Sequence, residues 1–297
     1  MPRVTIIIPT YNYAEVLPYS IGSAVRQTFT DFELLVIGDH CTDASESVVG
    51  AVGDPRVRWI NLEKNVGHQS GPNNEGFKQA RGEMIAYLGH DDLWLPRHLE
   101  LMVKTIDAGA DLSYGITESV QPAGEAPLFL PEELDYVPGM WIPPTSVVHR
   151  REPAIKVGGW RHFCDLKDMD PESDLWLRLH RAGNSIRLTR MLTAVKFSAA
   201  RRKGVYATRP SHEQAEWTER IKTEPDFVAV ELARSLRPIR EEYLSFGKLA
   251  RKFTAETLLR LRRRLWRIGL HAPPQAKQTR AEFYAERLKF KGVDTRR

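Results

Sequence analysis

The chain has 297 residues, 42% of them hydrophobic and 27% charged, which suits one domain of roughly 200 residues with an appendage, or two smaller domains, and excludes a disordered chain. No apolar run approaches the roughly 20 residues that span a bilayer, which excludes a polytopic membrane protein. The net charge is +5, but residues 248–297 carry +11 and residues 1–247 carry −6, which suggests a polyanion partner for the basic tail.

The first 115 residues alternate between predicted strands and predicted helices. Apolar, β-branched runs predict strands at residues 4–9, 32–37, 57–62, 84–88 and 111–114. Helical spacing, a capping Thr42 or Asp43 and a helix-opening Pro96 predict helices at residues 14–27, 42–52, 70–80 and 96–108. This alternation predicts an α/β fold with a mostly parallel sheet flanked by helices on both faces.

Beyond residue 115 the pattern loosens. Six prolines in residues 116–144 predict an irregular excursion. A strand at 145–149, a helix at 172–182 and strands near Ile186 and Val195 follow. After about residue 205 the chain is predicted to be helical and increasingly basic.

Ligands of an open parallel sheet bind at the carboxyl ends of its strands. The residues that follow the first, second and fourth predicted strands are Pro9, Thr10 and Tyr11, then Asp39, then His90, Asp91 and Asp92. An aromatic ring, a carboxylate and a carboxylate pair are therefore expected at one edge. No G-x-G-x-x-G follows a strand and no phosphate-binding G-x-x-x-x-G-K-[ST] occurs, which disfavours dinucleotide dehydrogenases and P-loop NTPases.

Four blocks of the sequence resemble glycosyltransferase family 2: TIIIPTYNYAEVLPYSIGSAVRQTFTDFELLVIGDHCTD, NVG, NNEGFKQARGEMIAYLGHDDLWLP and PESDLWLRLHRAG. Their order and spacing agree with the family from about Pro2 to about Val205. The chain most resembles the non-processive branch typified by the spore-coat polysaccharide glycosyltransferase, and it has no QxxRW motif of a processive polymerase. The resemblance implies the GT-A fold and, as in many members, inverting and metal-dependent transfer.

The resemblance also implies a division of the chain. We expect a GT-A domain at residues 1–205, with a nucleotide-binding half at 1–115 and an acceptor half at 116–205. A basic helical C-terminal extension is expected at 206–297.

The carboxylate pair is the expected metal site. A divalent ion can stabilise a departing diphosphate as a Lewis acid, and Mn²⁺ or Mg²⁺ prefers oxygen ligands. The resemblance therefore assigns Asp92 and Asp91 to the metal, with Asp91 also a nucleotide contact. The family pattern D-x-D-D is here Gly89-His90-Asp91-Asp92, so the first aspartate is missing and which aspartate holds the metal is left open. Alternatively, both carboxylates merely cap the helix that follows.

The expected nucleotide contacts come from three blocks. Asp39 stands where the family accepts the uracil N3–H, a donor that cytosine replaces with an acceptor. Tyr11 is expected to stack on the base, which contributes about 1–3 kcal/mol, and Asn74 lies in the third block with Asn65 and Gly67. Capping by Asp39 and ordinary packing by Tyr11 are the alternatives.

Inverting transfer needs a general base for the acceptor hydroxyl. Glu172 stands where the family places its catalytic aspartate, and Asp174 and Asp170 are the other candidates. These acids would also be favoured at a helix N-terminus without any catalytic role, by about 0.3–1 kcal/mol each. Trp141 and Trp160 either stack on the acceptor sugar or pack in the core. Arg201, Arg202 and Lys203 either cover the diphosphate or are solvated.

Residues 249–270 combine an apolar helical side with arginines opposite, typical of a helix lying on anionic lipid. Docking on the catalytic domain is the alternative, and nucleic acid is not expected. The two cysteines, Cys41 and Cys164, form no zinc or disulfide pattern, and no secretory signal is recognisable, so a cytoplasmic, peripheral protein of polysaccharide biosynthesis is expected.

The sequence thus predicts an enzyme that moves a sugar from a UDP-sugar to a hydroxyl of a glycan or glycolipid. The alternative is an inactive nucleotide-sugar-binding or scaffold protein of the same fold. A nucleotidyltransferase is disfavoured because its glycine-rich loop is absent.

Overall fold

The computed structural model describes residues 1–121, 128–129, 136–166, 169–198 and 212–244. Its strands are β1 Val4–Thr10, β2 Phe32–Gly38, β3 Val57–Asn61, β4 Met84–Tyr87, β5 Leu93–Trp94, β6 Leu112–Val120, β7 Leu128–Phe129, β8 Val147–Arg150 and β9 Ile186–Phe197. Its α-helices are α1 Leu17–Val25, α2 Ser45–Gly50, α3 Ser70–Gln79, α4 His98–Asp107, α5 Arg151–Lys156, α6 Pro171–Arg181, α7 His212–Thr223 and α8 Phe227–Leu244.

The strands form one mixed sheet in the order β3-β2-β1-β4-β8-β6-β9-β5, with β7 beside β6. The strands β1, β2, β3 and β4 run parallel to one another, as the alternating pattern predicts, and β6 is parallel to β9. In contrast, β8 runs antiparallel to β4 and β6, and β5 runs antiparallel to β9. The sheet is therefore parallel in its first half and mixed in its second.

Both faces of the sheet are buried, which explains the continuous apolar runs in its strands. Along β1, Val4, Ile6 and Ile8 belong to one core with α1 and α4, whereas Ile7 belongs to the other core with α3 and α6. The strands near Ile186 and Val195 are one strand, β9, whose pairing with β6 shifts register. The prediction missed β5 because two residues carry too little periodicity.

Contacts divide the chain into two compact units, with the boundary between Pro225 and Asp226. The first unit thus extends past the expected boundary at residue 205 and includes α7, while α8 lies in the second unit. The expected division of the chain at residue 205 stays a prediction. The segment 249–270 lies outside the described residues, so its lipid-binding role stays a prediction. None of the described helices is long and apolar enough to cross a bilayer.

Candidate active site

The parallel strands bring the predicted nucleotide contacts to one sheet edge. Pro9 and Thr10 end β1, and the Asp39 N–H donates to the Thr10 carbonyl at 2.8 Å, which ties the ends of β1 and β2 together. Tyr11 follows them and is half-buried. Beside it, Asn12 has a left-handed φ of 48°, and its side-chain oxygen accepts the Thr42 N–H at 2.7 Å. These bonds fix the two loops around Tyr11 and Asp39.

Asp39 is buried and organises the loop after β3. Its Oδ1 accepts the Val66 N–H at 2.7 Å, and its Oδ2 accepts the Gly67 N–H at 2.9 Å. The Asn65 side chain also accepts the Gly67 N–H, at 2.7 Å. The structure therefore brings Asp39, Asn65 and Gly67 together, as the family pattern implies. Recognition of a base by Asp39 stays a prediction.

Gly38 and Gly89 stand where the family pattern has the first aspartate of its two motifs. A Cβ at Gly38 would lie 2.6 Å from the Trp59 ring, so no side chain fits beside it. A Cβ at Gly89 would lie 2.6 Å from the Asp92 carboxylate and 3.3 Å from that of Asp91. The space that the first carboxylate of each motif would need is thus occupied by neighbouring side chains in this protein.

Asp91 and Asp92 differ sharply in environment. Asp92 is 1% exposed, its Oδ1 accepts the Phe197 N–H at 3.0 Å, and its Oδ2 lies 3.3 Å from the Lys196 ammonium. Burial raises the pKa of Asp92, and Lys196 opposes that shift. Asp91 is half-buried, and its backbone carbonyl accepts a hydrogen bond from Gln214 of α7 at 3.2 Å.

Lys196 and the Phe197 N–H both bond to the Asp92 carboxylate, and the assignment of the metal to Asp92 and Asp91 stays a prediction. The capping alternative is wrong, because Arg97 stands at the start of α4 and no side chain caps it. Within the described ranges, no three His, Cys, Asp or Glu side chains cluster around one point. A site completed by diphosphate oxygens does not require such a cluster.

Glu172 lies in the first turn of α6, which Pro171 opens, and it is 7% exposed. Its Oε1 accepts the Trp141 indole N–H at 3.0 Å, and its Oε2 accepts the Gln69 amide at 3.4 Å. Burial, followed by the neighbouring Asp170, raises the pKa of Glu172, and the Trp141 hydrogen bond and Lys196 oppose that rise. A carboxylate with a raised pKa suits proton abstraction near neutral pH.

Asp174 lies in the same turn but forms ion pairs with two arginines. Arg178 pairs with it at 2.7 Å and Arg161 at 3.5 Å. Arg178 also donates to the Val157 carbonyl and, at 2.7 Å, to the Gly159 carbonyl. Asp174 therefore anchors α6 to the turn after α5, and the structure does not favour the expected catalytic role.

Asn74 and Trp160 are also structural. The Asn74 amide donates to the Trp160 carbonyl at 2.8 Å and accepts the Trp160 N–H at 3.0 Å, so a nucleotide contact by Asn74 is not favoured. The Trp160 ring is buried and donates to the Tyr87 hydroxyl at 3.0 Å, which identifies it as a core residue.

Sequence reasoning missed Gln69 and Lys196, because a single polar residue in a loop or at a strand end carries no pattern. Arg201, Arg202 and Lys203 lie outside the described residues.

Comparisons with known proteins indicate the family and the fold. A family model described as Glycosyl transferase family 2 matches residues 5–126. The succinoglycan biosynthesis protein ExoO of Rhizobium meliloti (strain 1021) is 35% identical over 145 residues, which cover 48% of this chain and 41% of that protein. The Escherichia coli UDP-Glc:alpha-D-GlcNAc-diphosphoundecaprenol beta-1,3-glucosyltransferase WfgD is 35% identical over 100 residues, which cover 34% of this chain and 39% of WfgD. The chain thus spans about two fifths of the length of these relatives.

Solved structures share the fold. S. aureus TarS 1-349 in complex with UDP-GlcNAc superimposes with a TM-score of 0.57 at 19% identity, covering 80% of this chain and 73% of TarS. The mannosyltransferase PcManGT from Pyrobaculum calidifontis, in complex with GDP-Man and Mn²⁺, gives 0.54 at 17% identity, covering 86% of this chain and 80% of PcManGT. Residues 5–126 thus match glycosyltransferase family 2, and the helix-flanked mixed sheet has the GT-A fold of these solved structures.

Proposed function

We propose that this protein is an inverting glycosyltransferase that moves a sugar from a UDP-sugar to a hydroxyl of a glycan or glycolipid. One observation carries the proposal: Glu172 is a buried carboxylate with a raised pKa, oriented by two neutral donors. Glu172 takes the proton of the acceptor hydroxyl while that oxygen bonds to the anomeric carbon and UDP departs from the opposite side. Asp174 already supplies the ion pair that holds the helix, which supports a chemical role for Glu172.

The donor is proposed to bind along the carboxyl ends of β1, β2 and β4. Asp39 lies beside the β1 end with two backbone hydrogen bonds that hold its carboxylate in place, and Tyr11 offers a half-buried ring nearby. An immobilised carboxylate suits a uracil N3–H donor. The name of WfgD specifies UDP-Glc, and TarS was solved with UDP-GlcNAc, which support a UDP-sugar here.

Asp91 is the residue that would hold Mn²⁺ or Mg²⁺. It fits because its carboxylate is half-buried at the sheet edge while the neighbouring Asp92 is taken up by Lys196. When bound, such an ion supplies Lewis-acid stabilisation of the departing diphosphate. The Mn²⁺ in the PcManGT complex supports the use of a divalent ion.

A lipid-linked or surface glycan is the proposed acceptor class, because WfgD acts on a diphosphoundecaprenol-linked sugar and ExoO serves succinoglycan biosynthesis. Attachment to anionic lipid through residues 249–270 at the cytoplasmic face is part of the same proposal. It rests on the seven Lys/Arg and the single acid, Glu256, in residues 251–267.

The test is release of UDP by the full chain across a panel of UDP-sugars, with and without Mn²⁺. We expect one donor to be hydrolysed or transferred far above background, and only with metal. If the protein binds UDP but releases none from any UDP-sugar, with or without an added acceptor, it is the inactive sugar-binding protein instead.

A further inference from the structure

The segment 136–142 is fastened to the start of α6 by two indole groups. The Trp176 N–H, one turn beyond Glu172 on α6, donates to the Ile142 carbonyl at 3.1 Å. In return the Trp141 N–H donates to Glu172 Oε1 at 3.0 Å. Because Ile142 and Trp176 are fully buried, the backbone beside Trp141 is rigidly placed. The position of the Glu172 carboxylate is therefore set by a residue from outside its own helix.

Trp141 differs from the other tryptophans around this site. The rings of Trp160 and Trp176 are buried in the core, whereas Trp141 is half-buried. Its indole N–H is therefore bonded to Glu172, while part of the residue remains accessible to solvent. A large ring in such a place is typical of ligand sites, where one end is apolar and the other is polar.

The geometry of proton transfer connects this surface to the acceptor. A hydroxyl that gives its proton to Glu172 must lie about 2.6–3.2 Å from a carboxylate oxygen. The Trp141 nitrogen lies 3.0 Å from Oε1 of the same carboxylate. A hydroxyl that bonds to Oε1 therefore lies close enough to the indole for the sugar ring that carries it to contact Trp141.

We propose that Trp141 has two roles in the acceptor site: its N–H positions Glu172, and its half-buried ring packs against the acceptor sugar. This inference rests on the proposed function, because it takes Glu172 as the base. Under this proposal Trp141 contributes to binding of the acceptor and does not contact the donor.

Two substitutions in the full chain separate the roles. Trp141→Phe keeps an aromatic surface and removes the N–H, so kcat should fall about tenfold while the acceptor KM changes less than about twofold. Trp141→Ala removes both, so the acceptor KM should also rise by about tenfold or more. The donor KM should stay unchanged in both variants. Val137→Ala, an exposed residue of the same segment, is the matched control and should behave as the unaltered protein.

The pH profile gives a readout that a packing role would not move. The N–H stabilises the charged carboxylate, so its loss raises the pKa of Glu172, and the acidic limb of kcat/KM should shift to higher pH in Trp141→Phe. The charged groups acting on Glu172, Asp170 at the start of α6 and Lys196 of β9, are the same in both proteins.

Glu172→Gln distinguishes failure of this inference from failure of the proposed function. If Glu172→Gln is inactive while both Trp141 variants keep the kinetics and pH profile of the unaltered protein, Trp141 has neither role. If Glu172→Gln retains transfer, the base assignment itself is wrong. If Trp141→Ala does not fold, two other variants still test the roles. An unshifted pH profile and unchanged kcat in Trp141→Phe would overturn the positioning role. An unchanged acceptor KM in Trp141→Leu would overturn the contact with the acceptor.

Discussion

Glu172 and Asp174 are two residues apart in one helical turn, and we expect their amide variants to fail in opposite ways. Glu172→Gln should abolish transfer and leave stability intact. Its side-chain oxygen can still accept the Trp141 N–H, and Gln69 can rotate its amide to present an oxygen to the new NH₂ group. Because a buried charge is replaced by a neutral group and its hydrogen bonds are retained, the free energy of unfolding should change by less than about 1 kcal/mol.

The catalytic loss follows from the role of the carboxylate. General-base catalysis contributes about 10²–10⁴-fold, which corresponds to about 3–5 kcal/mol of transition-state stabilisation. The amide cannot accept the acceptor proton, so kcat should fall by that factor. UDP affinity should be unchanged, because the carboxylate is assigned to the acceptor.

Asp174→Asn should show the reverse. Removing one partner of a buried pair costs about 3–5 kcal/mol when the other charge is left uncompensated. Here Arg178 keeps its carbonyl acceptors at Val157 and Gly159, so the loss is expected to be smaller. We expect the free energy of unfolding to fall by about 2 kcal/mol, which corresponds to a fall in Tm of roughly 4–8 °C. Below that Tm, transfer should stay within about threefold of the unaltered protein.

The assay is transfer rate and thermal unfolding measured on both variants, with UDP calorimetry on each. A Glu172→Gln protein that transfers at more than a tenth of the normal rate refutes the assignment. An Asp174→Asn protein that is fully stable yet inactive would show that the base lies two residues further along the helix.

Three further outcomes are expected. Asp91→Asn should remove Mn²⁺ activation of UDP release, whereas Asp92→Asn should mainly lower Tm because it leaves Lys196 without its buried partner; full activity of Asp91→Asn in EDTA would contradict this. In calorimetry the unaltered protein should bind UDP more tightly than CDP. Asp39→Asn should bind UDP about tenfold more weakly and lose that preference. Equal affinity of the unaltered protein for both nucleotides would count against base recognition by Asp39. Burial lowers the pKa of His98 to about 3, so folding excludes its proton and stability falls as pH drops from about 6.5 towards 3, by roughly 2 kcal/mol at pH 5. His98→Phe keeps the stack on Trp94 and should remove that part of the acid sensitivity in urea unfolding at pH 7.5 and 5; an unchanged difference would place the titrating group elsewhere.

The sequence alone predicted the parallel half of the sheet, because strands buried on both faces are continuously apolar and are recognisable as runs of apolar residues. It also placed Asp39, Asp91 and Glu172 correctly at strand and helix ends, since a strand's carboxyl end and a helix's first turn follow directly from element boundaries. The mixed half escaped prediction. The pairing direction of β8 and the short β5 depends on partners more than 30 residues away in the chain.

Only the tertiary structure distinguishes the environments of neighbouring acids. Asp91 and Asp92 are chemically identical neighbours, and only the arrival of Lys196 from β9 commits one of them to an ion pair. Likewise Glu172 and Asp174 share a helical turn, but Trp141 reaches one and Arg161 the other. Local sequence sets the type of side chain at a position, whereas its burial and partners come from distant segments, and those determine whether a carboxylate holds the fold together or remains available for chemistry.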